Sequence, residues 1–198
     1  AESGIGQPTP PPADNTAADD SRLTTAMLRR AGTNIDGLVL QDELIRHEFD
    51  LTGEDDVIRW QLLEEEYNNV VMATTFEWGP GASNDYCGFA LRYVDDDNFY
   101  TLEMDREGVL RFFAQDTGEW VSLSTTESTA IATAPNARND LVVIATGTTF
   151  TLFINNEETL RIDDGRYSGG RFGVAAGTFI DSDASGCVFS DTRLWAIR

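Results

Sequence analysis

The stretch GFALRYVDDDNFYTLEM, Gly88 to Met104, decides how this chain is read. Its first arm sets Phe89, Leu91 and Tyr93 in alternation with Ala90, Arg92 and Val94, and its second sets Tyr100, Leu102 and Met104 against Phe99, Thr101 and Glu103. A period of two over such lengths marks half-buried strands rather than a helix. Between the arms, Val94-Asp95-Asp96-Asp97-Asn98 supplies polar residues that tolerate tight backbone geometry, as a hairpin loop requires. The stretch therefore predicts two antiparallel strands folded back on each other.

Downstream of this hairpin the rhythm continues. Asp105-Arg106-Glu107-Gly108 turns the chain into VLRFFAQ, and Asp116-Thr117-Gly118-Glu119 turns it again into WVSLST. A Ser/Thr/Ala-rich connection, Thr125 to Asn139, leads to LVVIATG, and further turns at Thr146-Gly147-Thr148 and Asn155-Asn156-Glu157 introduce TFTLFIN and ETLRI. Asp163-Asp164-Gly165 opens a loop before RFGVAAGT and CVFSDTRLWAI complete the chain. Upstream, GLVLQDELIRHEF, IRWQLLEE and VVMATTFEW read as strands, the last two joined by a turn at Glu66-Tyr67-Asn68-Asn69. Many short strands with Gly, Asp and Asn turns predict an all-β chain, an antiparallel β-sandwich or jelly roll.

The N-terminal region has a different composition. Residues 1–20, with the run Pro8-Thr9-Pro10-Pro11-Pro12, favour an extended polyproline conformation and hold almost nothing that could form a core. LTTAMLRR, Leu23 to Arg30, is the one short helical candidate, with Asp20 or Ser21 as its cap and Ala31-Gly32 as its end. The chain divides on this reading into an extended arm, 1–36, and a sandwich domain, 37–198. The arm carries apolar patches, Leu23, Met27 and Leu28, then Leu38, Val39 and Leu40. A flexible spacer joined to short apolar anchors is suited to docking on a neighbouring copy of the chain.

The 198 residues include 34 Asp and Glu against 14 cations, a formal net charge of −20, and every cation is an Arg. Such a field repels phosphate backbones and anionic headgroups, so neither nucleic acid nor a membrane surface is expected as a partner. Copies at this charge also repel one another, so self-assembly is expected to strengthen with salt. A saline habitat and a GC-rich genome are both compatible with the Lys-free, acidic composition. No apolar run approaches the ~18 residues that span a bilayer. The opening Ala1-Glu2-Ser3 fits a mature chain after removal of a signal peptide, or a chosen boundary, and the absence of Cys at position 1 argues against a lipoprotein anchor. Export agrees with pairing Cys87 to Cys187, a closure worth roughly 4–5 kcal/mol in the loop-entropy view. Two buried thiols are the alternative. Both cysteines sit near the start of a strand, which antiparallel neighbours would place at opposite ends.

The order of these motifs, from GFALRYVDDDNFYTLEM through VLRFFAQDTGEWVSL and LVVIATGTTFTLFINNEETLRI to SGGRFGVAAGT and VFSDTRLW, resembles the concanavalin A-like lectin/glucanase superfamily. It looks closest to laminin-G-like and 3-keto-disaccharide-hydrolase-like modules of secreted proteins. The resemblance covers roughly Glu43 to Arg198 and implies two curved antiparallel sheets. It leaves function open, because that fold carries lectins, hydrolases and structural domains.

Three functions follow as expectations. The first is a non-catalytic extracellular or cell-surface subunit that self-assembles through its arm. The second is a lectin-like carbohydrate-binding module, for which Trp60, Trp78, Trp120 and Trp195 are the candidate stacking residues, with core burial as the alternative for each. The third is a glycoside hydrolase. Glucanases that the chain resembles use an E-x-D-x-x-E strand pattern, and Glu103-Met104-Asp105-Arg106-Glu107 brings the third carboxylate one residue early and into a turn. His47, the sole histidine, lies far in sequence from any nucleophile-like motif, and one His with two Cys makes no transition-metal set. No catalytic residue is assigned. Loop carboxylates Asp95, Asp96, Asp97, Asp181 and Asp183 are hard oxygen ligands that suit calcium, with ordinary solvated turns as the alternative; no other cofactor is indicated.

Overall fold

The structure, a computed structural model, describes residues 16–80, 85–179 and 186–198. Within these residues twelve strands form two six-stranded antiparallel sheets. The first sheet runs in the order β1 (Leu38–Phe49), β12 (Cys187–Ile197), β3 (Val70–Trp78), β8 (Arg138–Thr146), β9 (Thr149–Ile154), β10 (Glu157–Asp163). The second runs β2 (Ile58–Tyr67), β11 (Gly170–Thr178), β4 (Asp85–Asp95), β5 (Asn98–Asp105), β6 (Val109–Asp116), β7 (Glu119–Glu127). The Gly88–Met104 stretch is the β4–β5 hairpin, at the centre of the second sheet, with Asp95 paired to Asn98 across the turn. β2 and β3 follow each other directly, yet they lie in opposite sheets. The turn at Asn68-Asn69 is therefore a crossover between layers and not a hairpin.

The two sheets face each other across one core. Phe89, Leu91, Tyr100, Leu102 and Met104 of the central hairpin meet Met72, Phe76, Val143, Leu152 and Phe189 of the first sheet there. Alternation along β4 breaks at Arg92, whose φ of +47° accompanies a register shift between Leu91 and Asp95. The bulge turns Arg92 inward, so Tyr93 reaches the outer face, where it packs on Phe99 and Trp60. The Arg92 guanidinium is fully buried, 4.7 Å above the Phe150 ring, and donates to the carbonyls of Tyr167, Asn68 and Gly147 at 2.7, 3.1 and 2.6 Å. Three loops are tied together by this one side chain.

Cys87 on β4 and Cys187 at the start of β12 form a disulfide with Cα atoms 6.5 Å apart. The conflict raised by antiparallel neighbours disappears, because the cysteines sit on facing sheets. The bond staples one layer to the other.

The N-terminal anchors go to a different place from that expected. Helix α1 (Thr16–Asp19) and helix α2 (Thr25–Arg30) lie on the outer face of the first sheet. Leu23, Met27, Leu28 and Leu38 are buried there against Val71, Ala73, Val142, Ile144, Phe153 and Trp195 of the same chain, with Leu40 partly buried beside them. Val39 points away from this cluster and is half-buried. The reading of these residues as anchors for a neighbouring copy is thus corrected: strands β3, β8 and β12 are apolar on both faces, and the chain's own helices cover the second face. Thr24, not Asp20 or Ser21, caps α2 by accepting from the Met27 amide at 3.1 Å, and Gly32 at φ +81° ends it. Asp20 instead pairs with buried Arg22 at 2.6 Å and with Arg193 of β12 at 3.4 Å.

Two stability outcomes follow. Leu28→Ala removes a fully buried side chain from this second cluster and is expected to cost about 2–4 kcal/mol in urea denaturation; a change below roughly 0.5 kcal/mol would place α2 off the sheet. Arg92→Met removes the three hydrogen bonds that the buried guanidinium makes to the Tyr167, Asn68 and Gly147 carbonyls and is expected to cost about 3 kcal/mol or more by the same measurement, despite its apolar surroundings.

Candidate functional site

The outer face of the second sheet is left uncovered by the helices, and its pleat can be followed row by row. One row runs Ile58, Gly177, Tyr86, Asp105; the next Trp60, Ala175, Gly88, Glu103, Arg111; the next Leu62, Gly173, Ala90, Thr101, Phe113. Small residues fill the middle of this face and large ones its borders. Gly88 is required: a Cβ there would stand 1.8 Å from the Leu102 carbonyl oxygen of β5. On one side Trp60, Tyr93, Phe99, Trp120 and Phe113 form a chain of ring contacts with centroids 5.4–6.0 Å apart. On the other, Tyr86 packs on Phe179 at 5.1 Å. Between them lies a cleft of about 420 Å³, lined by Glu103, Tyr86, Phe113, Trp120 and Phe179 and by the Asp56–Ile58 segment.

Glu103 is the chemically distinctive group in this cleft. It is 5% exposed, and its Oε1 accepts from the Thr101 hydroxyl at 2.9 Å. Burial raises its carboxyl to about 7, against the Thr101 hydrogen bond and the Arg111 charge, which act in the opposite direction. Arg111, its cross-strand neighbour on β6, is itself held by Asp105 at 2.7 Å and lies 5.1 Å over the Phe179 ring. Burial also raises the Tyr86 phenol, helped by the charges of Glu103 and Asp56, so it stays a neutral hydroxyl. The cleft thus offers a buried carboxyl that holds its proton more tightly than usual, a second carboxyl at its rim and a phenol, framed by aromatic rings.

The four tryptophans separate cleanly. Trp120 is 49% exposed on the cleft wall, and Trp60 is half-buried beside the ring chain. Trp78 and Trp195 are corrected from binding to packing roles, at 1% and 0% exposure. The Trp78 indole donates to the Ala132 carbonyl at 2.8 Å in the core, and Trp195 lies under the N-terminal helices. Asp95, Asp96 and Asp97 occupy the β4–β5 turn and its own bonds: Asp95 accepts from the Asp97 amide at 3.0 Å and the Asn98 amide group at 2.7 Å, and Asp96 accepts from Tyr93. Asp181 and Asp183 lie outside the described residues. Among the described residues no three His, Cys, Asp or Glu side chains gather as a metal site.

The glucanase-like run is also taken apart. Glu103 and Asp105 share the outer face of β5, but Asp105 accepts from the Glu107 and Val109 amides, both at 2.9 Å, as well as from Arg111. Glu107 lies in the turn and lines a separate polar cleft with Glu127 and Glu157. His47 meets the Phe49 ring edge-on, with centroids 4.4 Å apart, on β1 of the first sheet. Asp56, Tyr86, Phe113 and Phe179 had no motif to single them out; only the alternation of β4 and β6 could have placed Tyr86 and Phe113 on the outward side.

No protein-family model matches the sequence, and no curated protein matches it. Solved structures share its fold. The carbohydrate-binding module CBM66 from Bacillus subtilis is 15% identical with a TM-score of 0.56, over 81% of this chain and 92% of that one. The carbohydrate recognition domain of Emp46p in its metal-free form is 12% identical with a TM-score of 0.57, over 81% and 88%. The galectin LEC-6 from Caenorhabditis elegans is 11% identical with a TM-score of 0.51, over 79% and 95%. With these structures the chain shares its fold, two antiparallel sheets packed as a β-sandwich.

The Glu103 environment sets a pH-dependent outcome. The folded state holds this proton more tightly than the unfolded chain, whose carboxyl titrates near 4.5. Its contribution is therefore intact below that value and is lost as the pH rises through about 7. E103Q is expected to gain stability relative to the native protein between about pH 4 and about pH 9, by up to roughly 3 kcal/mol in urea denaturation. A difference that stays constant with pH would mean that Glu103 ionises like an exposed carboxyl.

Proposed function

We propose that the protein is a non-catalytic carbohydrate-binding module that works outside the cell and takes its saccharide in the cleft on the outer face of the second sheet. The observation that carries this reading is the pairing of a half-exposed Trp120 with the inward-facing Glu103 and Tyr86 in one hollow. Sugars present an apolar face of C–H groups and a rim of hydroxyls, so a site for them needs an aromatic platform next to convergent hydrogen-bonding groups. A cleft of about 420 Å³ falls in the range of small-molecule sites. The carbohydrate-binding module and carbohydrate recognition domain that share the fold add support at the level of architecture. An extracellular setting is supported by the disulfide, which reducing compartments disfavour. Among the described residues no helix is long and apolar enough to cross a membrane. The non-catalytic part of the proposal draws on Asp105 and Glu107, whose engagements leave Glu103 without a carboxylate partner on its own strand.

Self-assembly through the N-terminal segment is not retained in this reading, since Leu23, Met27, Leu28 and Leu38 are occupied within the chain.

A glycan array followed by isothermal titration calorimetry tests the proposal. Trp120→Ala is expected to weaken the best ligand by about tenfold or more, with unchanged far-UV circular dichroism. Binding that is indifferent to Trp120, or no glycan bound at all, would reject the cleft as the site.

A further inference from the structure

We propose that the ligand of this cleft is a cationic saccharide, an amino sugar whose ammonium group is held by the Glu103 and Asp56 carboxylates and faced by the aromatic walls. The inference rests on the carbohydrate-binding reading and adds the charge of the ligand.

Glu103 is 5% exposed, and while Oε1 takes the Thr101 hydroxyl, Oε2 has no hydrogen-bond partner among the described residues. Oε2 opens on the cleft instead of being sealed in the core, so a donor carried by the ligand can reach it. The Tyr86 hydroxyl, which lies over Gly177, likewise makes no hydrogen bond among the described residues. Asp56 stands on the rim, and its position is fixed by the next residue: the Val57 amide donates to the Thr178 hydroxyl at 3.3 Å, and the Thr178 amide donates to the Val57 carbonyl at 2.9 Å. Among the described residues no cationic side chain lines the cleft. The nearest cation around Glu103, Arg111 on β6, is held by Asp105 and turned over Phe179. The other groups that face Glu103 are Asp105 on its own strand, Tyr86 on β4 and Asp56 beyond the cleft, so the net local charge is negative.

The alternatives fare worse on the same observations. An acidic sugar would meet two carboxylates and the field of a chain at −20. A neutral sugar would satisfy Oε2 through a hydroxyl but would gain nothing from Asp56 as a charge. An ammonium gains from both carboxylates and from the faces of Trp120, Tyr86 and Phe113, in the manner of aromatic cages for organic cations. A hard metal ion needs six or more oxygens, which rings do not supply.

The test compares three oligosaccharides by calorimetry at about pH 7: fully deacetylated chitohexaose, its N-acetylated form, and cellohexaose. The deacetylated oligomer is expected to bind at least about tenfold tighter than either neutral one. E103Q and D56N are each expected to erase most of that preference, read on each variant as the ratio of its affinities for the deacetylated oligomer and for cellohexaose. E48Q removes the same charge from β1, in the other sheet, and is expected to change nothing, which separates site binding from adsorption of a polycation to an acidic surface. Asp56 is exposed, so D56N keeps the test decisive should E103Q fold poorly. Equal or tighter binding of the neutral oligomers, or an effect of E48Q equal to that of D56N, would overturn the charge assignment and leave the carbohydrate reading in place. Failure of all three oligomers, and of a wider glycan array, would remove the carbohydrate reading and this inference with it.

Discussion

The pleat of the β4–β5 hairpin is the constraint on which the rest of this molecule depends. Because successive side chains take opposite faces, the rows that send Phe89, Leu91, Leu102 and Met104 into the core also fix what stands outside. That outward set is Gly88, Ala90, Thr101 and Glu103, three small side chains and one carboxyl. Gly88 cannot be enlarged without striking the Leu102 carbonyl oxygen, so the hollow at the centre of the outer face is a consequence of how closely β4 and β5 approach. The cleft is in this sense the reverse side of the core. A one-residue slip of the hairpin would bury Glu103 in the apolar interior and put Leu102 in the cleft.

A sandwich has two outer faces, and here they are treated differently. The first sheet carries apolar residues on both sides of β3, β8 and β12, and the N-terminal helices cover the outer one through Met27, Leu28 and their neighbours. The second sheet is given no such cover. Its outer face is finished instead by its own rings, Trp60, Tyr93, Phe99, Phe113 and Trp120, which shield the small residues of the floor from the sides and leave one edge of Trp120 in water. An uncovered face with rings on its borders and a polar floor is the arrangement a saccharide site needs, and the molecule has one such face among its described residues.

Charge is handled by the same division. Among the described residues most Asp and Glu side chains stand in solvent, where they cost little and repel anions. The buried ions are placed in pairs or on carbonyls: Asp20 with Arg22, Asp85 with Arg106, and Arg92 on three backbone oxygens. Glu103 departs from this rule. It is buried with a single hydroxyl partner and responds by taking up a proton more readily than an ordinary carboxyl does. A carboxyl left this way on the wall of a cleft marks a place where a partner from outside would complete the set.

The strands, the hairpin at Gly88–Met104 and the all-β class were determined by sequence alone, because strand pairing over short turns is written in period-two alternation and in Gly, Asp and Asn at the bends. The short helix at Thr25–Arg30 and the single possible cysteine pair were legible for equally local reasons. What tertiary structure alone decided are the matters of which face meets which. The Asn68-Asn69 bend looks like a hairpin in sequence but joins different layers, since a turn records a change of direction and not the sheet that follows. Arg92 reads as an outward residue until the left-handed bulge turns it in, and the four tryptophans read alike until burial separates Trp120 from Trp78 and Trp195. Leu23, Met27 and Leu28 announce an apolar anchor without naming its surface, because hydrophobic burial has no direction. Asp56, Tyr86, Glu103 and Phe179 come from separate parts of the chain, and only sheet order brings them to one cleft.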